Sequence, residues 1–268
     1  MESKMRRKLK KITAVIFIIC MFGIVALIGV IRFRPQIQMM KRVVFNTSLQ
    51  HSTTDLNKPV IDLSGWQRPK EIDYNVLSEH VIGAIIRVQA TEGISDGSAT
   101  KTGEDVAYKE HIQAFKKRGV PVAVYAYVTG KNVSQMKTQA KSFYKHAKNF
   151  QPSYYWLDVE VTNMKNMNAG IEAFRSELAK LGAKNIGIYA QDWFITDNHI
   201  DTKRFDAIWM ADYGRDTGYW DASPTTTLNY SMQQFTDKGT VPGYTGDVDL
   251  SMVRTQKDYD KLFKSKGN

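Results

Sequence analysis

Cysteine is all but missing from this 268-residue chain, and the one copy, Cys20, lies inside an apolar run. That excludes a disulfide framework, a cysteine nucleophile and a cysteine metal site everywhere else, so the folded part must hold itself together by packing. Histidine offers little to a metal. The five copies, His51, His80, His111, His146 and His199, follow no H-E-x-x-H or other ligand spacing, and none stands beside an acid at a strand end. A G-x-S-x-G elbow is also absent, so acyl transfer has only Ser64 after Asp62, with no histidine placed to activate it. No internal repeat is visible, and neither a cofactor nor a metal is expected.

The formal charge of +10 raises the question of nucleic acid, and its distribution answers it. Residues 1–34 carry eight Lys/Arg and one acid, or +7, which leaves only +3 for the rest of the chain. The basicity belongs to the flanks of Ile12–Ile31, twenty residues without a charge. At helical rise that run matches the roughly 30 Å of hydrocarbon in a bilayer. Six basic residues precede it and two, Arg32 and Arg34, follow, which keeps the N-terminus cytoplasmic. The run is longer than the apolar core of a secretory signal, about 7–15 residues, and leads into Val30-Ile31-Arg32-Phe33-Arg34, a poor cleavage site. The expectation is a basic cytoplasmic tail over 1–11, a transmembrane helix over 12–31, a polar stalk over 32–58 and one folded unit over 59–268 outside a single-pass cell membrane.

Past Pro59, short apolar or β-branched runs alternate with longer segments of helical period, the pattern of an α/β fold with a mostly parallel sheet. Strands are expected at Val60–Leu63, Ile82–Gln89, Val120–Val128, Tyr154–Glu160, Ile186–Ala190, Ala207–Tyr213, Tyr230–Phe235 and Val248–Ser251. Eight strands suggest a closed barrel. Helical spacing runs over Glu104–Arg118, Val133–Lys148 and Asn168–Leu181, with Gly119 and Gly182 where helix stops belong. The last third has loops in place of helices, which predicts a modified TIM-like barrel with an irregular, partly antiparallel C-terminal part.

In such a barrel, acids at strand ends face one mouth. Asp62, Asp158, Glu160 and Asp249 qualify, with Asp247 an alternative to Asp249. In Tyr155-Trp156-Leu157-Asp158-Val159-Glu160, alternation sends Asp158 and Glu160 to the same side, about 6–7 Å apart by strand rise. Two such carboxyls beside aromatic rings suit glycoside cleavage. One must stay protonated near neutral pH to supply the leaving oxygen, while the other stays ionised and stabilises an oxocarbenium-like transition state. The D-x-E tripeptide by itself is weak, since it is common in solvated loops and hard-metal sites.

Taken together, an ordered series of motifs over roughly Pro59 to Phe263 resembles family 25 of the glycoside hydrolases, the lysozymes of Chalaropsis and cellosyl type. The series runs Val60-Ile61-Asp62-Leu63-Ser64 with Trp66-Gln67, then Ile86-Arg87-Val88-Gln89-Ala90-Thr91-Glu92-Gly93, Tyr125-Ala126-Tyr127 and Asp158-Val159-Glu160. It continues with Gly187-Ile188-Tyr189, Ile208-Trp209-Met210-Ala211-Asp212-Tyr213, Met232-Gln233-Gln234-Phe235, Val241-Pro242-Gly243 and Val248-Asp249-Leu250. The resemblance implies a metal-free hydrolase of the β-1,4 bond between N-acetylmuramic acid and N-acetylglucosamine in peptidoglycan. Glu160 then resembles the general acid. Asp158 would be its partner, either orienting the substrate's acetamido group or stabilising the cation directly. Asp62 and Asp249 match two further acids of the pocket floor. Tyr127, Tyr189, Trp209 and Tyr213 would supply sugar-stacking faces and hydroxyl contacts, and Glu92 and Gln234 join them as substrate-binding candidates. Two departures stand out: Gln89 sits where many relatives have a basic residue, and Met232 where an aromatic often precedes the Gln.

The partner implied is the glycan strand of a Gram-positive-type wall, with the membrane engaged through the N-terminal run and no role for nucleic acid. A tether suits local opening of the wall during remodelling or assembly of a trans-envelope machine whose other members the sequence does not name. The competing reading is a tethered peptidoglycan-binding scaffold with little turnover.

Overall fold

The computed structural model describes residues 54–93 and 96–264. The basic tail, the apolar run and the stalk as far as Thr53 lie outside the described residues. Among those described, no helix is long and apolar enough to cross a membrane.

Eight strands close into a barrel in chain order. They are β1 (Val60–Leu63), β2 (Gly83–Gln89), β3 (Val122–Tyr127), β4 (Tyr155–Asp158), β5 (Ile186–Gln191), β6 (Ala207–Ala211), β7 (Met232–Gly239) and β8 (Val248–Val253). The strands from β1 to β7 pair in parallel, whereas β8 runs antiparallel to both β7 and β1. The helices are α1 (Tyr74–Glu79), α2 (Tyr108–Lys117), α3 (Val133–Ala147), α4 (Met167–Leu181), α5 (Asp192–Asp197) and α6 (Gln256–Phe263). No helix lies between β6 and β7 or between β7 and β8. The long loop over 212–231 carries the chain back to the starting end of the barrel and leaves β7 parallel to β6, whereas the short connection over 240–247 returns it directly, so β8 comes back antiparallel.

Alternation along each strand sorts side chains into two layers. Outward positions such as Ile61, Ile86, Val124, Leu157, Ile188 and Met210 pack under the helices. Inward positions such as Val60, Ile85, Ala123, Trp156, Trp209 and Met232 fill the barrel, and Tyr259, Leu262 and Phe263 of α6 close its lower end. Gly187 on β5 makes room for this filling, because a Cβ there would lie 2.2 Å from the Trp156 ring.

Polar side chains set the helix starts. Asp73 accepts from the backbone N–H groups of Asn75 and Val76 at α1, Asn132 from Gln135 at α3, Asn166 from Ala169 at α4 and Thr255 from Asp258 at α6. Gly182, at φ 107°, ends α4 in the left-handed region that glycine tolerates. The folded unit also starts earlier than the sequence suggests. Residues 54–58 are not free stalk: Leu56 packs against the barrel filling, and Lys58 Nζ donates to the Glu79 carbonyl at 2.7 Å.

Candidate active site

The inward rows that are apolar low in the barrel turn polar at the other end. Asp62 ends this row on β1, Arg87 on β2, Tyr125 and Tyr127 on β3, Asp158 on β4, Tyr189 on β5 and Gln234 on β7. Asp249 arrives from the start of β8, at the same end because that strand is reversed. Glu160 and Tyr213 stand two residues beyond β4 and β6. Together with the exposed Trp66, they line a cleft of about 410 Å³.

Gln234 organises the floor. Its Oε1 accepts from the hydroxyls of Tyr189 at 2.6 Å and Tyr213 at 2.7 Å, and its Nε2 donates to Asp62 Oδ2 at 2.9 Å and Asp249 Oδ2 at 3.2 Å. The amide is thereby fixed in one orientation, since hydroxyl donors fill one end and carboxyl acceptors the other. Burial, followed by repulsion from Asp249, pushes Asp62 well above the usual carboxylate range. Asp249 is pushed up to about 7, again chiefly by burial. Two buried acids this close hold a proton between them.

Asp158 and Glu160 form the second acidic pair. Burial raises Asp158 well above its ordinary value, the Glu160 charge adds to the rise, and the Arg87 guanidinium opposes it. Glu160 is raised by burial as well, with a Tyr189 hydroxyl acting the other way. One oxygen of Asp158, Oδ1, is buried and has no hydrogen-bond partner in the protein. A buried acceptor left open costs stability and is ready for a donor from substrate.

Arg87 is locked in place from behind. Its Nε donates to Asp105 Oδ2 at 2.9 Å and its Nη2 to Ser98 Oγ at 2.8 Å, while the same Asp105 takes the backbone N–H groups of Gly65 and Ala107. A fixed cation thus faces the acids at the mouth without consuming either of them.

Most residues singled out from sequence meet in this cleft: the four acids, Tyr127, Tyr189, Trp209, Tyr213 and Gln234. Trp209 is not a free stacking face. It is 2% exposed, its ring packs on Tyr189 with centroids 4.5 Å apart, and its Nε1 donates to Ser251 Oγ at 3.0 Å, so it serves as floor. Glu92 does not join the cluster and instead lines a separate groove with Thr91 and Lys131. Gln89 turns outward under α3, with its Oε1 accepting from Ser142 Oγ at 2.8 Å, so the departure there does not touch the cleft. Sequence reasoning passed over Arg87, Tyr125, Trp66, Asp96 and Asp237 as lining residues. Arg87 and Tyr125 had a usable signal, for each is two places from an inward residue on its own strand, Ile85 and Ala123.

A barrel mouth that sets buried acids, each pushed above the usual carboxylate range by burial, among aromatic rings defines a carbohydrate-cleaving class of site. Residues 61–244 match the family model for Glycosyl hydrolases family 25, and the chain belongs to that family. It is 25% identical over 183 residues to an autolytic lysozyme of Clostridium acetobutylicum, covering 67% of this chain and 51% of that protein. The chain thus spans about half the length of that curated relative. A glycosyl hydrolase 25 of Streptococcus pneumoniae, described as a virulence factor participating in host cell invasion, superposes with a TM-score of 0.76 at 48% identity, over 78% of this chain and 93% of that one. A bacterial lysozyme from Streptomyces coelicolor shares the fold at a TM-score of 0.61 and 18% identity, over 76% of this chain and 96% of that one.

Proposed function

We propose that this family 25 hydrolase is a muramidase that cuts the β-1,4 bond between N-acetylmuramic acid and N-acetylglucosamine in peptidoglycan. Relatives named as lysozymes support the substrate class. The observation that carries the reading is the Asp158 and Glu160 pair, in which a carboxyl raised by burial stands two residues from a buried carboxylate oxygen with no partner. Glu160 gives its proton to the glycosidic oxygen as the bond to the anomeric carbon breaks. Asp158 takes the acetamido N–H of the substrate on Oδ1, which turns the acetamido carbonyl toward the carbon that is losing its leaving group. Water then completes the cleavage and returns a proton to Glu160.

Asp62, Asp249 and Gln234 form the hydrogen-bonded floor beneath the reacting ring. The apolar run Ile12–Ile31 and its uneven basic flanks support a membrane tether, with the barrel outside and cleavage close to the membrane for local wall remodelling.

The test is digestion of purified peptidoglycan with mass analysis of the new ends, beside Glu160→Gln and Asp158→Asn. Muramic acid reducing ends that persist in chelator and fall by orders of magnitude in Glu160→Gln support the reading. Binding to walls with no products would favour a tethered scaffold. Quantitative release of the protein into the medium, cut near residue 34, would remove the tether.

A further inference from the structure

Trp193 sits in the first turn of α5 with 58% of its surface exposed. It borders a groove of about 360 Å³ that also includes Gln191, Asp192, Asp212 and Tyr213. Tyr213 lines the acidic cleft as well, so the two depressions share a wall. On the other side of the mouth, Trp66 lines the acidic cleft and is 55% exposed. Trp66 follows β1 and Trp193 follows β5, and in a closed ring of eight strands taken in order these are opposite staves. The acids therefore lie between two exposed indoles.

The Trp193 groove is held in shape. Trp193 Nε1 donates to Gln191 Oε1, which orients the indole. The loop after β6 is fastened beside the groove by Thr225 N donating to Asp192 Oδ2 at 3.1 Å and by Gln233 Nε2 donating to the Asp212 carbonyl at 2.9 Å. A pyranose ring has an apolar C–H face and a rim of hydroxyls. An exposed indole beside carboxylates and an amide matches both, the ring packing on the indole and the hydroxyls donating to the carboxylates.

We propose that the Trp193 groove is a second sugar subsite, which grips a unit of the glycan strand beyond Tyr213 and makes cleavage favour long strands over short fragments. The proposal rests on the glycan-cleaving reading of the adjoining cleft. The polymer lies across the mouth, held by Trp66 on one side and Trp193 on the other, with the scissile bond over Glu160.

Two measurements on the full chain in detergent test it. In the catalytically silenced Glu160→Gln background, co-sedimentation with purified insoluble peptidoglycan is compared with and without Trp193→Ala. In the active background, kcat/KM is measured on soluble glycan fragments of increasing length. Loss of the indole is expected to weaken polymer binding about tenfold, near the worth of one buried aromatic contact. It should also raise KM on long fragments more than on short ones. Trp193→Phe should recover part of the loss, and Tyr219→Ala, at a surface position that lines neither depression, should change nothing. Equal sedimentation with and without the indole, or the same fractional loss at every length, overturns the subsite. Failure of the muramidase reading shows separately, as absence of muramic acid ends from the wild type, while sedimentation still reports on the groove.

Discussion

Asp62 and Asp249 are direct partners across the antiparallel pairing of β1 with β8, and one Gln234 Nε2 reaches an oxygen of each, at 2.9 and 3.2 Å. Like charges directly opposite on one sheet face repel. Here they are also buried, so the fold tolerates them by retaining a proton that the unfolded chain would release. That is a cost borne by the folded state, and it explains why a third polar group, the Gln234 amide, is inserted between them.

Asp249→Asn should therefore stabilise the protein while lowering its turnover. The folded carboxyl is raised from 3.8 to about 7 by burial. A group whose folded value is raised gains nothing from the substitution below about pH 3.8, and its penalty is complete once the pH has passed about 7. Because the proton is shared with Asp62, the relief at pH 8 is put at about 1–2 kcal/mol, a few degrees in thermal midpoint. Thermal melts of both proteins at pH 4 and pH 8 decide it. A difference that does not depend on pH would mean that the pair carries no titration penalty.

Gln234 offers a sharper test of the same network. Gln234→Leu removes acceptor bonds from two tyrosine hydroxyls and donor bonds to two carboxyls, leaving buried polar groups open at a cost of about 2–4 kcal/mol. Gln234→Glu keeps the shape and adds a third carboxyl to the floor. Its loss of stability should grow from pH 5 to pH 8, whereas the Leu variant's loss should stay nearly constant. Denaturant titrations at both pH values separate the two patterns.

Much of this arrangement was legible because a barrel strand writes its two faces into alternate residues. Val60 and Asp62, or Trp156 and Asp158, reveal an inward row that is apolar low down and acidic at the mouth. The same rule would have placed Arg87 from Ile85. Glu92 escaped the rule. The pairing of β2 with β3 shifts register between Arg87 and Gln89, and beyond that irregularity the chain no longer alternates, so motif order did not translate into position. The helices α1 and α5, six residues each, are too short to show a period. The sequence reading also passed over α6, although Thr255 and Asp258, three residues apart, bond in a cap at its start. Trp66 and Trp193 were not distinguishable from core aromatics until the fold showed which indoles face solvent.

Gly187→Ala should be among the more damaging small substitutions in the barrel. The added Cβ would lie 2.2 and 2.3 Å from two atoms of the Trp156 ring. That ring is 1% exposed, stacks on Tyr154 at 5.0 Å and meets Trp209 at 5.7 Å, so it has nowhere to move. Overpacking of this kind costs about 1–3 kcal/mol or somewhat more. Trp156 is two residues before Asp158 on β4, so turnover should fall beyond what the lost stability explains. Adding Trp156→Phe should return part of the thermal midpoint. No recovery in the double variant would show that the conflict lies elsewhere.

Arg87 controls where the acidic pair titrates. Its guanidinium pulls Asp158 downward against burial and the Glu160 charge, while Glu160 is raised by burial. The two carboxyls interact, so the limbs of the pH profile belong to the pair rather than to either residue. On the alkaline side, activity falls as the pair loses the proton that the leaving oxygen needs. On the acid side, it falls as the pair takes up a second proton and loses its negative charge. Arg87→Met withdraws a positive charge that favours the ionised forms, so both limbs should move to higher pH. Asp105 would keep its bonds from the Gly65 and Ala107 backbone N–H groups, which limits the structural damage around it. Profiles of kcat/KM against pH for wild type and Arg87→Met, taken with thermal melts at each pH, separate electrostatics from unfolding. Limbs that stay in place, with activity lowered equally at every pH, would show that Arg87 acts on packing and not on the acids.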